Sequence, residues 1–348
     1  MKDNPKVGPR GGATPPTSAA VARRAGVSRA TVSYVLNGQA AGRVSDATQA
    51  KVRAAAADLG YVPHAAARTL RSGHSDLVLL AVAADVVPAV GPLFAAFLAE
   101  FQTALSERGH TVVLHGTGGG RTPEDAARAW AELRPAAVVT VAGTPLSASS
   151  VQLLTRAGVS AVLAYGAPAV PGAHSVAMDQ GEVGAVAAAH LLASGRRALG
   201  VVTPVERGLH LFSEPRLAGV RAAAAAFPGA RVVPLELAYT EESAVELASC
   251  WRQLGLDAVF AYNDEYAMLL LRALQDAGIE VPGETAVVGA DDLLLARLVR
   301  PRLTSVRMRM PGGAQAAELV ARLIREPGVA AGVHGVSSAQ LVVRESSG

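Results

Sequence analysis

The side chains able to hold a polyanion are concentrated in the first 75 residues of this 348-residue chain. Residues 1–75 contain eleven Lys and Arg against three Asp, which gives a net charge of +8. Residues 76–348 contain the remaining 21 basic and 26 acidic side chains, which give a net charge of −5. Clustered cations neutralise phosphates and release their counterions, so this asymmetry favours a polyanion-binding segment attached to a mildly acidic body.

The other reactive side chains lack the spacing that common catalytic sites need. The Gly-rich stretch 116–121 has no third glycine at the dinucleotide-loop spacing, and none of the three lysines lies in a Gly-Lys-Ser/Thr phosphate loop. No H-E-x-x-H or G-x-S-x-G motif occurs. Cys250 is the single cysteine, which excludes an internal disulfide and a multi-cysteine metal site. We therefore expect no enzymatic activity, no bound metal and no cofactor.

Hydropathy predicts a globular protein without a membrane segment. Half of the residues are hydrophobic and 18% are charged, which is not the composition of a disordered chain. Apolar runs such as residues 77–84 are far shorter than the ~20 residues that a membrane span needs. The first fifteen residues are polar and rich in Pro and Gly, unlike a signal peptide. We expect a cytoplasmic location and no membrane partner.

Three short helices are predicted to follow a Pro- and Gly-rich arm over residues 1–16. Thr17 or Ser18 can cap the first helix, Gly26 can form a tight turn after it, and Ser28 can cap the second. The predicted helices reach from the first cap to residue 25, from residue 29 to 36 and from residue 45 to 59. Three helices with a glycine turn between the first two are typical of a helix-turn-helix unit.

From residue 77 onward, apolar strands alternate with amphipathic helices. One helical pattern places Phe94, Phe97, Leu98, Phe101 and Leu105 on a single face. Eight strands are predicted, over residues 77–84, 111–115, 136–142, 159–165, 199–203, 232–237, 257–261 and 286–289. Such alternation builds parallel sheets with helices on both faces, and eight strands are more than one such domain usually holds. The pattern therefore predicts two consecutive α/β lobes.

Six stretches of the sequence resemble, in order and spacing, the LacI/GalR family of bacterial transcription repressors. They are TSAAVARRAGVSRATVSYVLNG (17–38), GYVPHAAARTLRSG (60–73), EPRLAG (214–219), FAYNDEY (260–266), AVVGADD (286–292) and PRLTSV (301–306). The resemblance covers nearly all of the chain after the arm. It implies an N-terminal all-α helix-turn-helix domain followed by an α/β periplasmic-binding-protein-like effector module of two doubly wound parallel-sheet lobes.

This resemblance and the element pattern together predict the domain boundaries. We expect a flexible arm over 1–16, a helix-turn-helix DNA-binding domain over 17–62, a hinge over 63–75 and an effector-binding and dimerisation module over 76–348. Within the module, lobe one is expected at about 76–175 plus 307–325. Lobe two is expected at about 176–306 plus 326–348.

The second helix of a helix-turn-helix lies in the major groove, where the side chains near its start meet base edges. Arg29 can bind guanine or phosphate there, Ala30 offers a methyl group, and Tyr34 stands where the family usually has arginine. The predicted DNA contacts also include Thr17, Ser18, Ser28, Thr31, Ser33 and Asn37. Helix caps and surface hydroxyls explain several of these residues almost as well.

The segment from His64 to Arg71 resembles the hinge that becomes helical in this family when two subunits sit on DNA. Leu70 matches the leucine that each family subunit inserts into the minor groove. An apolar wedge between base steps unstacks and kinks the duplex. A flexible Ala-rich linker with an incidental leucine is the alternative.

The two lobes resemble a module that holds a small molecule between them. Arg216, Asn263 and Asp291 match positions from which family members hydrogen-bond ligands, and Phe94 and Tyr165 are expected to line the same cleft. A structural ion pair between Arg216 and an acid is the alternative. Polar residues frequent in the family are replaced here by Val90, Gly91, Tyr165 and Gly166, and a frequent aromatic position holds Met310. The cleft is therefore expected to bind a sugar or a less polar metabolite, or to bind a ligand weakly or not at all.

These observations predict a homodimeric DNA-binding transcription regulator, an effector-responsive repressor of a palindromic operator in double-stranded DNA at the nucleoid. The alternative is a soluble periplasmic-type small-molecule binding protein for sugars. The basic helix-turn-helix and the lack of a signal-peptide pattern disfavour that alternative.

Overall fold

The computed structural model describes residues 16–37, 40–62, 75–83, 91–117, 122–141 and 143–348. The chain forms two compact units that divide between Ser75 and Asp76. The described part of the first unit contains helices, and the second unit contains two sheets with helices.

The described residues of the N-terminal unit form three helices: α1 (Ser18–Ala25), α2 (Arg29–Leu36) and α3 (Asp46–Asp58). Each begins after a hydroxyl side chain that accepts a backbone N–H, since Thr17, Ser28 and Ser45 are the N-caps. Gly26 turns the chain after α1 with φ = 67°, a left-handed conformation that glycine adopts without strain. The helices enclose a small aliphatic core: Val21, Ala22, Val32, Val35, Ala40, Val52, Ala55 and Ala56. The three predicted helices are confirmed.

The second unit alternates strands and helices over most of its length. Its elements in chain order are β1 (Leu77–Ala83), α4 (Gly91–Ser106), β2 (Thr111–Thr117), α5 (Pro123–Glu132), β3 (Ala137–Val141), α6 (Ala148–Arg156), β4 (Ala161–Tyr165), β5 (His174–Ala177), α7 (Gln180–Ala193), β6 (Ala198–Pro204), α8 (His210–Ala224), β7 (Arg231–Leu237), α9 (Glu241–Ser249), α10 (Trp251–Leu254), β8 (Ala258–Phe260), α11 (Asp264–Asp276), β9 (Ala286–Ala290), β10 (Thr304–Arg309), α12 (Gly313–Arg325), β11 (Val333–Val336) and β12 (Ser338–Val342).

Two six-stranded sheets define the two lobes. The first has the order β11-β5-β4-β3-β1-β2, and its strand pairs are parallel. The second has the order β12-β10-β9-β8-β6-β7 and is parallel except for the antiparallel pair of β10 with β12. Within residues 143–348, all of which the structure describes, the chain passes between the sheets three times: after β5, after β10 and after β11.

Both faces of each sheet are covered by apolar side chains. In β1, Val78, Leu80 and Val82 pack into one core, whereas Leu79 and Ala81 pack into a second core on the opposite face. Successive side chains of a strand point to opposite faces, so a strand covered on both sides must be apolar throughout. The two-lobed fold class predicted from the sequence is confirmed, and each of the eight predicted strands is present.

The observed lobes differ from the predicted boundaries at their edges. Residues 307–309 end β10 in the second sheet rather than joining lobe one, and residues 333–336 pair with β5 in the first sheet rather than joining lobe two. Residues 176 and 177 likewise remain in the first sheet. Four strands were not predicted: β5, β10, β11 and β12. Their membership is decided by hydrogen bonds to distant strands, and β11 is short with two exposed valines, so hydropathy gives little local signal.

Candidate functional site

The second helix of the N-terminal unit exposes three of the side chains predicted to contact DNA. Arg29, Ala30 and Tyr34 are exposed on α2, while Val32 and Val35 point into the core. Ser33 and Asn37 lie one and two turns after Arg29, and the Asn37 side-chain amide donates a 3.0 Å hydrogen bond to the Ser33 hydroxyl. One face of α2 therefore presents a cation, a methyl group, an aromatic ring and two polar groups.

The hydroxyl groups predicted to contact DNA also have roles within the unit. The Thr17 and Ser28 hydroxyl oxygens accept the backbone N–H groups of Ala20 and Thr31, at 3.3 and 3.0 Å. The Thr31 hydroxyl lies 2.9 Å from that of Ser28, and Ser18 is half-buried at the start of α1. These contacts position the ends of α1 and α2, so a hydroxyl at these positions has a structural function whether or not it also contacts a phosphate.

Arg43 is a cation at this surface that the sequence analysis did not select. Its guanidinium lies 5.4 Å from the centre of the Tyr34 ring, within range of a cation–π interaction. The chain between α2 and α3 therefore adds a positive charge beside the exposed face of α2. Leu70 and the rest of the predicted hinge over residues 63–74 lie outside the described residues.

A cavity of about 300 Å³ lies between the two lobes. It is bounded by residues at the carboxyl ends of strands, among them Val82 near the end of β1, Tyr165 at the end of β4 and Asp291 after β9. Open parallel sheets bind ligands at this edge. Four of the five predicted effector-binding residues line the cavity: Phe94, Tyr165, Arg216 and Asp291. A second hollow of about 470 Å³ adjoins it and shares Gly166, Met178, Gln180 and Phe212, but it lacks the Arg216 and Asp291 pair among its described lining residues.

Arg216 is held firmly at the cavity wall by residues on both sides of it. Its Nε donates a 2.7 Å hydrogen bond to the Gln180 side-chain oxygen, and its Nη1 donates to the backbone carbonyl of Tyr262. Its guanidinium also lies 4.9 Å from the centre of the Tyr262 ring. Only 5% of Arg216 is exposed. Two of its three donor nitrogens are therefore already bonded, and the arginine presents Nη2 to the cavity.

Asp291 lies opposite that nitrogen, with one carboxylate oxygen 3.7 Å from Arg216 Nη2. This is an ion pair, but the separation is longer than a hydrogen bond. Burial raises the pKa of Asp291, and the nearby Arg216 charge opposes that shift. Asp291 has φ = 96°, a region that non-glycine residues rarely adopt, so the surrounding structure holds it in a strained conformation at the cavity wall.

Two neighbouring carboxylates organise the backbone behind the cavity. Asp264 accepts hydrogen bonds from the Ser305 hydroxyl at 2.6 Å and the Leu293 N–H at 2.7 Å, and burial raises its pKa to about 7. Asp292 is bound by Arg307, Arg344 and Arg297. Burial opposes ionisation of Asp292, but the hydrogen bonds from Arg344 and Arg307 outweigh it and lower the pKa.

Asn263 is the one predicted effector-binding residue that the structure does not bring to the described cavity wall. Its side-chain oxygen accepts the Tyr266 N–H at 3.0 Å, which makes it the N-cap of α11. Only 4% of the residue is exposed. The preceding residue, Tyr262, lines the cavity instead.

Comparison with known proteins decides the family. Residues 19–64 match the model of bacterial regulatory proteins of the lacI family, and residues 188–347 match that of a periplasmic binding protein-like domain. The HTH-type transcriptional regulator GntR of Pseudomonas aeruginosa is 33% identical over 317 residues, which cover 89% of each chain. This chain belongs to the LacI family of bacterial transcriptional regulators.

Solved structures of LacI-family proteins share the whole architecture. A structure described as a transcriptional regulator CelR–cellobiose complex is 31% identical with a TM-score of 0.63, covering 95% of this chain and 99% of that chain. A lac repressor dimer bound to operator and the anti-inducer ONPF has a TM-score of 0.75 at 22% identity, covering 96% of this chain and 99% of that chain. The latter likeness shows a common fold.

Several residues that complete the cleft of this LacI-family chain were not predicted from the sequence. Gln180, Tyr262, Phe97, Met178 and Met308 all line the cavity. Phe97 belongs to the predicted apolar face of α4, and Tyr262 lies inside the recognised FAYNDEY stretch. These two residues could therefore have been predicted from the sequence to lie near the cleft. The part of the chain that the structure describes contains neither a helix able to cross a membrane nor a cluster of three or more side chains suited to a metal ion.

Proposed function

We propose that this LacI-family regulator binds a palindromic operator as a homodimer and that a small molecule in the cleft changes its affinity for DNA. The proposal is supported by one combination of features: an exposed recognition helix and an interlobe cavity with a fixed Arg216–Asp291 pair occur in the same chain. The proposed domains are the helix-turn-helix over 17–62, a hinge over 63–75 and the module over 76–348. The protein acts at the nucleoid in the cytoplasm as a regulator and not as an enzyme.

DNA binding follows from placing α2 in the major groove. Arg29 then donates to guanine or a phosphate, and Ala30 and Tyr34 face base edges. Two-fold symmetry of the dimer gives two equivalent half-sites, so the operator is palindromic.

Effector response follows from the way the cavity is built. Its wall combines residues of both lobes with residues of the segments that pass between them, such as Met178 and Met310. A ligand that contacts both lobes stabilises one arrangement of them, and the coupling between effector and operator affinity is reciprocal.

A gel-shift assay with the promoter fragments of its own gene and the adjacent genes tests the proposal. We expect a specific complex at one of them, resistant to an excess of random DNA, with an affinity that changes when the effector is added. A periplasmic-type binding protein would bind its small molecule without any specific DNA complex. Mass spectrometry of ligand that co-purifies with the protein would identify the effector.

Tyr34 tests how the recognition helix reads bases. We expect Tyr34→Arg to shift the preferred base at one position of each half-site by ~1–3 kcal/mol of discrimination, because arginine can donate two hydrogen bonds to guanine. Selection from a randomised operator library measures the shift. Tyr34→Phe is the matched control, since it keeps the ring below Arg43 and removes only the hydroxyl. An unchanged sequence preference in Tyr34→Arg would show that the residue does not face the bases.

Arg216 tests the effector site. We expect Arg216→Ala to weaken effector binding by ~1–3 kcal/mol, because the effector group that binds Nη2 is left without a partner in a buried site. The measurement is titration of the effector against the operator complex, with operator affinity without effector expected to stay unchanged. Arg272→Ala is the control, since Arg272 is exposed and paired with Asp276 on α11. Equal loss of operator affinity without effector would assign Arg216 a structural role instead.

Three exposed leucines provide a test of the dimer. Leu294, Leu295 and Leu298 occupy one short segment after β9 and are 71%, 55% and 62% exposed. Since apolar side chains grouped in this way mark association surfaces, we propose that a second copy covers them. We expect Leu298→Glu to weaken the dimer at least about tenfold, measured by sedimentation equilibrium. Leu133→Glu, an exposed leucine of the first lobe, should leave it unchanged. Equal dimer affinities in the two variants would place the interface elsewhere.

A further inference from the structure

Aromatic and methionine side chains make up eight of the twenty described residues that line the cleft. Five aromatic residues line it, Phe94, Phe97, Tyr165, Phe212 and Tyr262. Three of the five methionines in the chain line it as well: Met178, Met308 and Met310. Aromatic residues make up only 4% of the sequence, so the five around this cavity are a local concentration. Rings and thioethers are the groups that contact a flat apolar ligand most favourably.

The polar side chains of the described wall are few, and most of them already have a partner in the protein. Among the twenty described lining residues, four have charged or amide side chains: Glu100, Gln180, Arg216 and Asp291. The Gln180 oxygen accepts from Arg216, and Glu100 accepts the Ala314 N–H at 3.5 Å at the start of α12. The Tyr165 hydroxyl donates to the Pro311 carbonyl. In this cavity, most hydroxyl groups of a polyhydroxylated ligand would find no hydrogen-bond partner. Each buried hydroxyl without a partner costs about 1–3 kcal/mol of binding free energy.

The size of the cavity accommodates a small ring system. An apolar cavity of roughly 150 Å³ accommodates benzene. The cleft cavity, at about 300 Å³, therefore has room for a substituted single ring or a fused pair of rings.

The Arg216–Asp291 pair provides one defined binding position for a polar group of a ligand. Arg216 Nη2 can donate and the Asp291 carboxylate can accept, and the 3.7 Å between them leaves both available to a ligand atom. A hydroxyl or an amide matches this pair because it both accepts and donates. A carboxylate matches it poorly, since Asp291 and Glu100 place two acidic groups at the same wall.

We infer that the effector is a neutral aromatic molecule of one or two rings that carries one hydroxyl or amide group. The inference rests on the effector role proposed for the cleft. In the bound state the rings lie among the aromatic and methionine side chains, and the polar group bridges Arg216 and Asp291.

Isothermal titration of the full-length protein with matched probes tests the inference. We expect 2-naphthol to bind one site per chain with a Kd of about 100 µM or lower, which is within reach of a ligand of its size. Decahydro-2-naphthol removes aromaticity and 2-naphthoate adds a negative charge, so both should bind at least ~10-fold more weakly. Cellobiose and gluconate should show no saturable binding at millimolar concentration.

Two methionine variants localise the binding. Met310→Ala should weaken 2-naphthol binding ~10-fold, whereas Met268→Ala should not, because Met268 packs against the core of the second lobe outside the cavity wall. No saturable 2-naphthol binding, tighter binding of cellobiose or gluconate, or equal loss in both variants would overturn the inference.

A parallel gel shift separates this inference from the proposed function. Binding of 2-naphthol in the cleft without any change in operator affinity would contradict effector coupling and leave the ligand class established for the site. Operator release by cellobiose or gluconate and not by 2-naphthol would retain effector coupling and overturn the ligand class.

Discussion

A chain shortened to residues 76–348 is expected to fold and dimerise but to lose specific operator binding, by a factor of at least ~10³. The second unit contains its own cores on both faces of both sheets, so its folding does not depend on the segment removed. The deletion removes the exposed face of α2 and changes the net charge from +3 to −5. A negatively charged body has little attraction for phosphates.

Fluorescence anisotropy with operator and scrambled DNA measures the loss, and sedimentation measures the dimer. Deletion of residues 1–15 alone is the control. It leaves all three helices of the first unit and should retain specific binding, with a smaller salt dependence because Lys2, Lys6 and Arg10 are removed. Specific binding by the 76–348 chain would contradict the assignment of DNA recognition to the first unit.

Substitution of Gly184 by alanine is expected to destabilise the protein by roughly 2–3 kcal/mol. Helices α7 and α8 meet through backbone at this point, since a Cβ on Gly184 would lie 1.9 Å from the Arg216 carbonyl oxygen. A Cβ on Gly219 would lie equally close to the Gly181 carbonyl oxygen. Neither contact can be relieved by rotation of a side chain, so the two helices must separate.

Gly181→Ala on the same helix is the matched control. Its added Cβ would meet the Asp179 side chain at 3.2 Å and no backbone atom closer than 3.7 Å. Alanine is a better helix former than glycine in both substitutions, so a lower unfolding free energy of Gly184→Ala than of Gly181→Ala reports the backbone contact. Denaturant unfolding measures it, and equal stability of the two variants would show that the helices adjust without cost.

Gly184→Ala should also affect effector binding, because the contacted carbonyl belongs to Arg216. Separation of α8 from α7 moves the guanidinium relative to Gln180, which lies at the start of α7. The variant is therefore expected to bind effector less tightly at temperatures where it remains folded. Unchanged effector affinity would show that the helix contact contributes only to stability.

Local sequence signals were sufficient for the helix-turn-helix. Thr17, Ser28 and Gly26 each act through neighbours within a few residues, so the helix ends were predictable from caps and a turn. The contact of Arg43 with the Tyr34 ring was not predictable in this way, because it depends on the path of the chain between two helices.

The cleft was predictable only in part. Arg216 and Asp291 lie in recognised motifs, but the hydrogen bond to Gln180 joins residues 36 positions apart. Asn263 also lies in a recognised motif, but its side chain caps α11 and the residue does not line the cavity. The exchange of β11 into the first sheet is likewise set by tertiary pairing, which hydropathy along one chain does not encode. Leu70 remains a prediction from the sequence.

The three passages of the chain between the sheets contrast with the single junction between Ser75 and Asp76. One recombination event near that junction exchanges the complete N-terminal unit between relatives. Exchange of one lobe requires matched breakpoints at all three passages. Recombination can therefore join an existing sensor to a new operator in one step, whereas a hybrid cleft built from the lobes of two relatives needs all three breakpoints at once.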